Sequence, residues 1–410
     1  LEPKREEKKP WEPVFRRWAV WILASVCLPA GVHATNGMDM VGYSAESKAM
    51  AGAGAASCKD PAWSIINPAG IVDLDRRVDI MLSAYYIERG LEPRGIASNW
   101  FNRKMTDRMP LGGPDFGVVW PTQYFTFGTG FYVMAGLTTN FEHSRSIVPA
   151  LLGQNWDRRL QLFAARIPLA FARDLGNGWA VGAALNINAQ CMISDHLTLK
   201  FQQTKADFSW DDSYGAGLTL GVQKKWERFA IGASYATPQW MTRFKKYSDL
   251  FPRRLDMPQK VQAGVAVKIM PKLEVFLDYK WINWHGVPQF GREILQHGMG
   301  WNDQHIVRAA LEYTLNDRWT FRTGISYGKP HVDKNHVFTN GLAPIIISTH
   351  VAAGCAYKIN DHHEIHATYM CFVPNSMKEH GGGDILGWLG KGTRFSAEAH
   401  SLALAYTYFW

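Results

Sequence analysis

Trp319-Thr320-Phe321-Arg322-Thr323-Gly324-Ile325-Ser326-Tyr327-Gly328 is the stretch that decides the fold. Aromatic and apolar residues with one Thr occupy one set of alternate positions, and Thr, Arg, Gly and Ser occupy the other. A period of two describes a β-strand with unlike faces. The pattern recurs in Phe229, Ile231, Ala233 and Tyr235 against Ala230, Gly232, Ser234 and Ala236. It recurs again in Val261, Ala263, Val265, Val267 and Ile269 against Gln262, Gly264, Ala266 and Lys268. A soluble sandwich would turn its polar face to bulk water. Here that face is rich in Gly, Ala and Ser, which suits packing against an internal plug. The apolar face carries aromatics near strand ends, as a lipid-interface girdle does. These strands read as apolar-out.

Strands of this kind are predicted at about 76–89, 112–121, 126–141, 157–172, 178–199, 206–224, 227–248, 258–269, 273–285, 304–315, 318–328, 346–358, 364–374 and 397–410. Fourteen is an even number, as a closed bacterial barrel requires. Tight turns at Asp174–Asn177, Met270–Lys272, Asn316–Asp317 and Ile359–His363 contrast with long loops near 90–111, 142–156, 286–303, 329–345 and 375–396. Short periplasmic turns and long external loops are the expected asymmetry. Leu402, Leu404, Tyr406, Tyr408 and Trp410 carry the alternation to a terminal aromatic. Such a strand resembles the signal read by the outer-membrane insertion machinery, an expected partner.

Composition agrees. The chain has 410 residues, 47% hydrophobic and 20% charged, which excludes wholesale disorder. Mean hydropathy is -0.19. No apolar run of about 20 residues follows the first thirty-odd positions, which excludes a polytopic helical transporter. Aromatics are abundant, with Trp 17, Tyr 15 and Phe 21.

Basic Arg16 and Arg17 precede an apolar run from Trp18 to Ala30, and Val32-His33-Ala34 offers small residues to a signal peptidase. Residues 1–34 therefore read as a secretory signal. They hold six basic and four acidic residues, so their removal lowers the net charge from +8 to +6. The remaining basic residues are scattered, which gives no nucleic-acid surface. Cys58, Cys191, Cys355 and Cys371 lie far apart. Pairing through the turn near Asp361 sets Cys355 opposite about residue 367, out of register with Cys371 for a bridge.

Residues 35–75 differ from the rest. A small-residue tract from Gly42 to Ser57 lacks strand alternation, and Asn67-Pro68-Ala69-Gly70 closes the region with a turn signal. Such a segment cannot build its own core, but it can pack closely inside something else. The chain thus divides into a signal at 1–34, an N-terminal hatch at 35–75 and a barrel at 76–410.

Thr35-Asn36-Gly37, Gly42-Tyr43-Ser44-Ala45, Lys48-Ala49-Met50-Ala51-Gly52-Ala53-Gly54 and Asn67-Pro68-Ala69-Gly70 together resemble the start of the FadL/TodX family. Trp319–Ile325, Tyr279-Lys280-Trp281-Ile282-Asn283-Trp284 and Tyr406-Thr407-Tyr408-Phe409-Trp410 resemble its later strands. These are outer-membrane transporters for long-chain fatty acids and other hydrophobic compounds. The resemblance implies an all-β, fourteen-stranded antiparallel transmembrane barrel with a hatch in its lumen, in the outer membrane of a Gram-negative bacterium. It also implies that Asn67, Pro68 and Ala69 sit against an inward kink of the third strand. There a hole in the wall would pass substrate sideways into the bilayer. A fatty acid or alkylbenzene gains about 0.8 kcal/mol per CH₂ on leaving water for hydrocarbon. A side exit keeps that gain, and Asn67 is suited to pair with backbone that the opening strands.

Gly136 falls nearest the family's kink position and Gly130 is the second choice for the lateral opening. Glycine inside a strand marks a bend or close approach. The family's long loop between strands five and six is missing, since that connection spans only about 200–205. The loop with Ile385, Leu386, Trp388 and Leu389 is the best substitute for external capture. On the luminal face Arg308 and Arg322 could meet a substrate carboxylate. The competing reading is a salt-bridge ladder with Glu312; a luminal base without an acidic partner would favour acid substrates.

His362, Glu364 and His366 share a face but lack a further well-spaced ligand, so no metal is expected. Gly324–Gly328 fits G-x-S-x-G without the strand–turn–helix that a nucleophile needs, so no catalytic residue is expected. No cofactor is expected either. Passive uptake of hydrophobic small molecules by a monomer amid outer-membrane lipid is the leading function. A nonspecific porin and an outer-membrane lipid hydrolase are its rivals.

Overall fold

The computed structural model describes residues 36–99, 104–144, 156–195, 209–248, 251–341, 343 and 345–410. The predicted signal at 1–34 and the short connection at 200–205 lie outside the described residues. The strands are β1 (Arg77–Glu92), β2 (Met105–Pro121), β3 (Thr126–Ser144), β4 (Trp156–Gly176), β5 (Trp179–Asp195), β6 (Asp211–Lys225) and β7 (Phe229–Ala236). They continue as β8 (Lys260–Met270), β9 (Leu273–Ile282), β10 (Gln304–Thr314), β11 (Trp319–Gly328), β12 (Thr349–Lys358), β13 (His363–Lys378) and β14 (Arg394–Phe409). Each pairs antiparallel with its chain neighbour. β1 and β14 pair from Arg77↔Phe409 to Glu92↔Arg394, and the sheet closes into a barrel. No helix among the described residues is long and apolar enough to cross a membrane.

The two faces of the wall are inverted relative to a soluble protein. Leu82, Leu277, Val307 and Leu404 are 55–64% exposed, while their neighbours Ser83, Asp278, Arg308 and Ala403 are buried. An apolar exterior around a polar interior is stable only when hydrocarbon is the outer solvent. Arg76 caps the seam at the tight-turn end, its guanidinium 3.1 Å from the ring centre of Trp120 and 4.8 Å from that of Trp410. Such an arrangement anchors that rim where aromatics meet the polar boundary.

Strand seven departs from expectation. It stops at Ala236, where Pro238 denies the ladder a donor, and Trp240–Met241 resumes pairing with Gly215 and Ala216 of β6. Phe244, Tyr247, Phe251 and Leu255 beyond it are buried in the main hydrophobic cluster instead of facing lipid.

Residues 36–75 thread the lumen. Ser44 caps the short helix α1 (Ala45–Ala49) in a reciprocal pair with Ser47. A second helix, α2 (Trp63–Ile66), leads through Asn67 into a 3₁₀ turn, Pro68–Asp73. Glycines in the wall make room for this segment. A Cβ on Gly128 of β3 would lie 2.4 Å from Ser64 Oγ, and one on Gly182 of β5 would lie 2.4 Å from the Pro68 carbonyl carbon. At Gly232 of β7 and Gly324 of β11 it would lie 2.2 Å from Ala55 O and 2.4 Å from the Met50 carbonyl carbon. The small-residue face of the strands is the bed of the plug.

Candidate functional site

The wall is parted between two strands. β2 and β3 pair only from Phe116↔Phe131 to Pro121↔Thr126. Beyond that, Met105–Asp115 stays with β1 while Tyr132 onward stays with β4, and the described residues show no ladder between them. Burial along β3 alternates as far as Phe131. From Tyr132 to Thr139 every residue but Ala135 is buried, so the strand has stepped inward off the wall. Two features cause the step. A Cβ on Gly130 would lie 2.3 Å from Phe116 O, an approach only glycine permits, and the register with β4 shifts between Val133 and Ala135.

Backbone groups stranded by the step find partners elsewhere, as a water-free setting demands. Met40 N–H of the plug donates to Met134 O at 3.2 Å, and Asp39 bridges to Ala135. Val133 N–H donates to Asp115 Oδ1 at 2.7 Å. Arg89 reaches across from β1, donating to Thr138 O and, at 2.7 Å, to Thr139 Oγ1, with Asp107 at 3.3 Å holding its charge. Gly136 lies just past the shift, opposite Phe163 of β4, on the displaced stretch. Gly130 lies at the last intact pairs, opposite Gly117.

The Asn-Pro-Ala motif sits elsewhere than the resemblance implied. Asn67 Nδ2 donates to Ala55 O at 2.7 Å and to Val222 O of β6 at 3.2 Å, while its Oδ1 accepts from Ala69 N at 3.3 Å. Glycines on β5 and β6 explain the placement, since a Cβ on Gly221 would lie 2.1 Å from Asn67 Oδ1. The motif thus rests on β5 and β6. The following turn reaches β3 at Gly128, where a Cβ would lie 3.0 Å from Ile71 Cδ1. Asp39 and Met40, not Asn67, face the kink.

Arg308 and Arg322 part company. Arg322 Nε donates to Glu312 at 2.6 Å, and Lys59 of the plug bridges Glu312 and Glu274 at 2.8 Å each. That is the ladder. Arg308 faces Asp278 across β9 and β10, but Asp278 Oδ2 accepts from Gly54 N–H, Ala55 N–H and Gln262, and its buried Oδ1 has no hydrogen-bond partner. Arg308 therefore donates to Gly52 O at 2.7 Å, and its Nε and second terminal nitrogen are buried without hydrogen-bond partners. Arg166 of β4, missed in the sequence, bonds only neutral groups, Asn188 Oδ1 and Met257 Sδ. Asp39 answers both Lys260 and Lys280, the latter at 2.5 Å. A cavity lined by Tyr43, Ile65, Met134, Arg166, Lys260 and Lys280 joins apolar surface to this excess of positive charge.

An aromatic stack lies under the long loops. Phe290 and Trp301 stack at 4.5 Å, Trp284 meets both edge-on, and His331 lies 4.1 Å from Trp301. Burial pushes the His331 imidazole down to about 3, so it stays neutral. Gly37 of the plug packs under Trp284, where a Cβ would lie 2.4 Å from the indole. Trp284 stood in a quoted strand motif, yet spacing gave no sign that loops would gather these rings. Above, Ile385–Leu389 form a short helix capped by Asp384. Ile385 and Trp388 are 48% and 55% exposed, and Leu386 and Leu389 are half-buried.

Other sequence features resolve simply. His366 lies 3.6 Å from Glu46 of the plug and 3.7 Å from Glu364, whereas His362 bonds Phe409 O at the turn. Ser326 lies within β11. Cys355 stands opposite Ala367, as the register predicted, and all four described cysteines are free.

The fold has solved counterparts. The Pseudomonas putida toluene transporter TodX superposes with a TM-score of 0.68 at 15% identity, covering 91% of this chain and 99% of that one. A Pseudomonas aeruginosa FadL homologue gives 0.67 at 14%, covering 91% and 99%. The Ralstonia pickettii toluene transporter TbuX gives 0.63 at 16%, covering 90% and 99%. No curated protein sequence matches the chain. The profile of the outer membrane protein transport proteins (OMPP1/FadL/TodX) matches residues 162–409, and the chain belongs to that family of the outer membrane.

Proposed function

We propose that hydrophobic compounds enter from the external loops, pause in the lumen beside the plug and leave sideways between β2 and β3 into the bilayer. The parted wall carries this reading. A hydrophobic molecule that leaves through it passes from the lumen to hydrocarbon without crossing bulk water. Residues 36–75 act as the hatch, which argues against an open porin, and no chemistry is performed. Monomeric action and delivery by the insertion machinery fit the single closed barrel and its aromatic last strand.

Among substrates, long-chain acids fit better than neutral hydrocarbons. Arg308, whose Nε and second terminal nitrogen are buried without hydrogen-bond partners, supplies donors that a hydrocarbon would leave unpaired, and Arg166 adds a cation to the cavity lining. The test is uptake of labelled oleate and labelled toluene in a deletion strain carrying this chain or its Gly136→Trp variant. Oleate uptake above toluene, abolished by Gly136→Trp in a correctly inserted protein, is expected. Undiminished uptake by that variant defeats the lateral route, and toluene uptake alone defeats the acid.

A further inference from the structure

We propose that Glu293, His336 and Asp384 form a divalent metal site of the zinc class that clasps three external loops together. These residues come from the β9–β10, β11–β12 and β13–β14 connections, and one ligand atom of each lies within 4.8 Å of the others. One imidazole nitrogen with two carboxylates is a donor set that suits zinc.

Three further observations point the same way. His336 Nδ1 lies 2.8 Å from Asp333 Oδ1, the outer carboxylate that fixes the ring of a metal-bound histidine and leaves Nε2 as the ligand. His336 Nε2 already lies 3.1 Å from Glu293 Oε2. Tetrahedral ligands about 2 Å from a zinc ion are roughly 3.3 Å apart, so this pair is near its bound spacing. Finally, the chain passes Nε2 at Gly383, where a Cβ would lie 2.8 Å away, and flanks the ring at Gly300, where it would lie 2.5 Å away. Any side chain at Gly383 would fill the space that an ion needs.

Asp384 has a second task that the metal leaves intact. Its Oδ1 caps the helix through Gly387 N–H at 2.7 Å, and its Oδ2 accepts from Thr339 at 2.6 Å. The ion would bind a free lone pair of that carboxylate. It would thereby fix the helix bearing Ile385 and Trp388 to the two neighbouring loops. External metal would then set how firmly the apolar patch is presented.

Calorimetric titration of the chelator-stripped, detergent-solubilised protein with zinc chloride tests the site, with magnesium chloride as control. One zinc per chain and no magnesium binding are expected. Affinity should fall about tenfold or more in Glu293→Gln, a half-exposed position that leaves packing untouched, and about tenfold in Asp333→Asn. Zinc should also slow tryptic cleavage after Lys334 and Lys391 in the native chain and not in His336→Ala. Absence of stoichiometric binding, or full affinity in Glu293→Gln and His336→Ala, overturns the proposal.

Discussion

Arg308 and Arg322 lie on adjacent strands, on one face, and differ in what the plug leaves them. Lys59 enters beside Glu312 and completes a ladder around Arg322, whereas Gly54 and Ala55 hold Asp278 Oδ2 and Arg308 donates to Gly52 O instead. Arg308→Leu should therefore lower oleate uptake by about tenfold while toluene uptake is unchanged, the loss of one charge-assisted hydrogen bond. Equal loss of both substrates would assign Arg308 to holding the plug. A second residue-scale outcome concerns the bed of that plug. Gly182→Val should cost about 1–3 kcal/mol, since its Cβ meets Pro68 backbone, and should lower the temperature at which the barrel unfolds on heat-modifiable gels. The strand alternation made both arginines legible as luminal. Their different fates depend on backbone donors of the plug, which leave no mark in the pattern of side chains.

At the scale of elements, the alternation located the strands to within a few residues at most ends, because each wall strand meets lipid on one side and packed polar atoms on the other. It failed where that condition fails. β3 beyond Phe131 is buried on both faces, so period two vanishes, and only Gly130 and Gly136 hinted at the step. Strand seven was read too long because Phe244 and Tyr247 continue an apolar pattern that serves the interior. The motif Asn67-Pro68-Ala69 was legible as a turn, but its neighbours were not, since the room for it lies at Gly182 and Gly221, far along the chain. Deleting Met134, the residue skipped in the register with β4, should return β3 to the wall and extend its ladder with β2. Substrate uptake is expected to fall to the level of the empty strain while the barrel unfolds no earlier than the native chain. Preserved uptake would separate the step in β3 from the exit.

For the whole molecule, the plug and the wall share their polar groups. Asp39, Lys59 and Asn67 of the plug, and Asp278 and Arg308 of the wall, each bond across the boundary. A chain lacking residues 36–75, where it refolds as a heat-modifiable barrel, should conduct ions in planar bilayers far more than the native chain. An equally large steady conductance from the native chain would favour a porin. The metal ligands show the limit of reading at this scale. Glu293, His336 and Asp384 have no motif spacing, because three separate loops bring them together.

The seam between β1 and β14 also governs the order of assembly. Arg77 donates to Thr407 across 330 residues of chain, so the ring cannot shut until the final strand has been made and delivered. The plug touches strands on every side, from β3 round to β12. Contacts so spread around the ring suit a plug that the sheet curls about before the seam zips. Contacts this distant in sequence fold slowly. Protection of the open sheet from pairing with strangers until the last strand arrives is what this topology calls for.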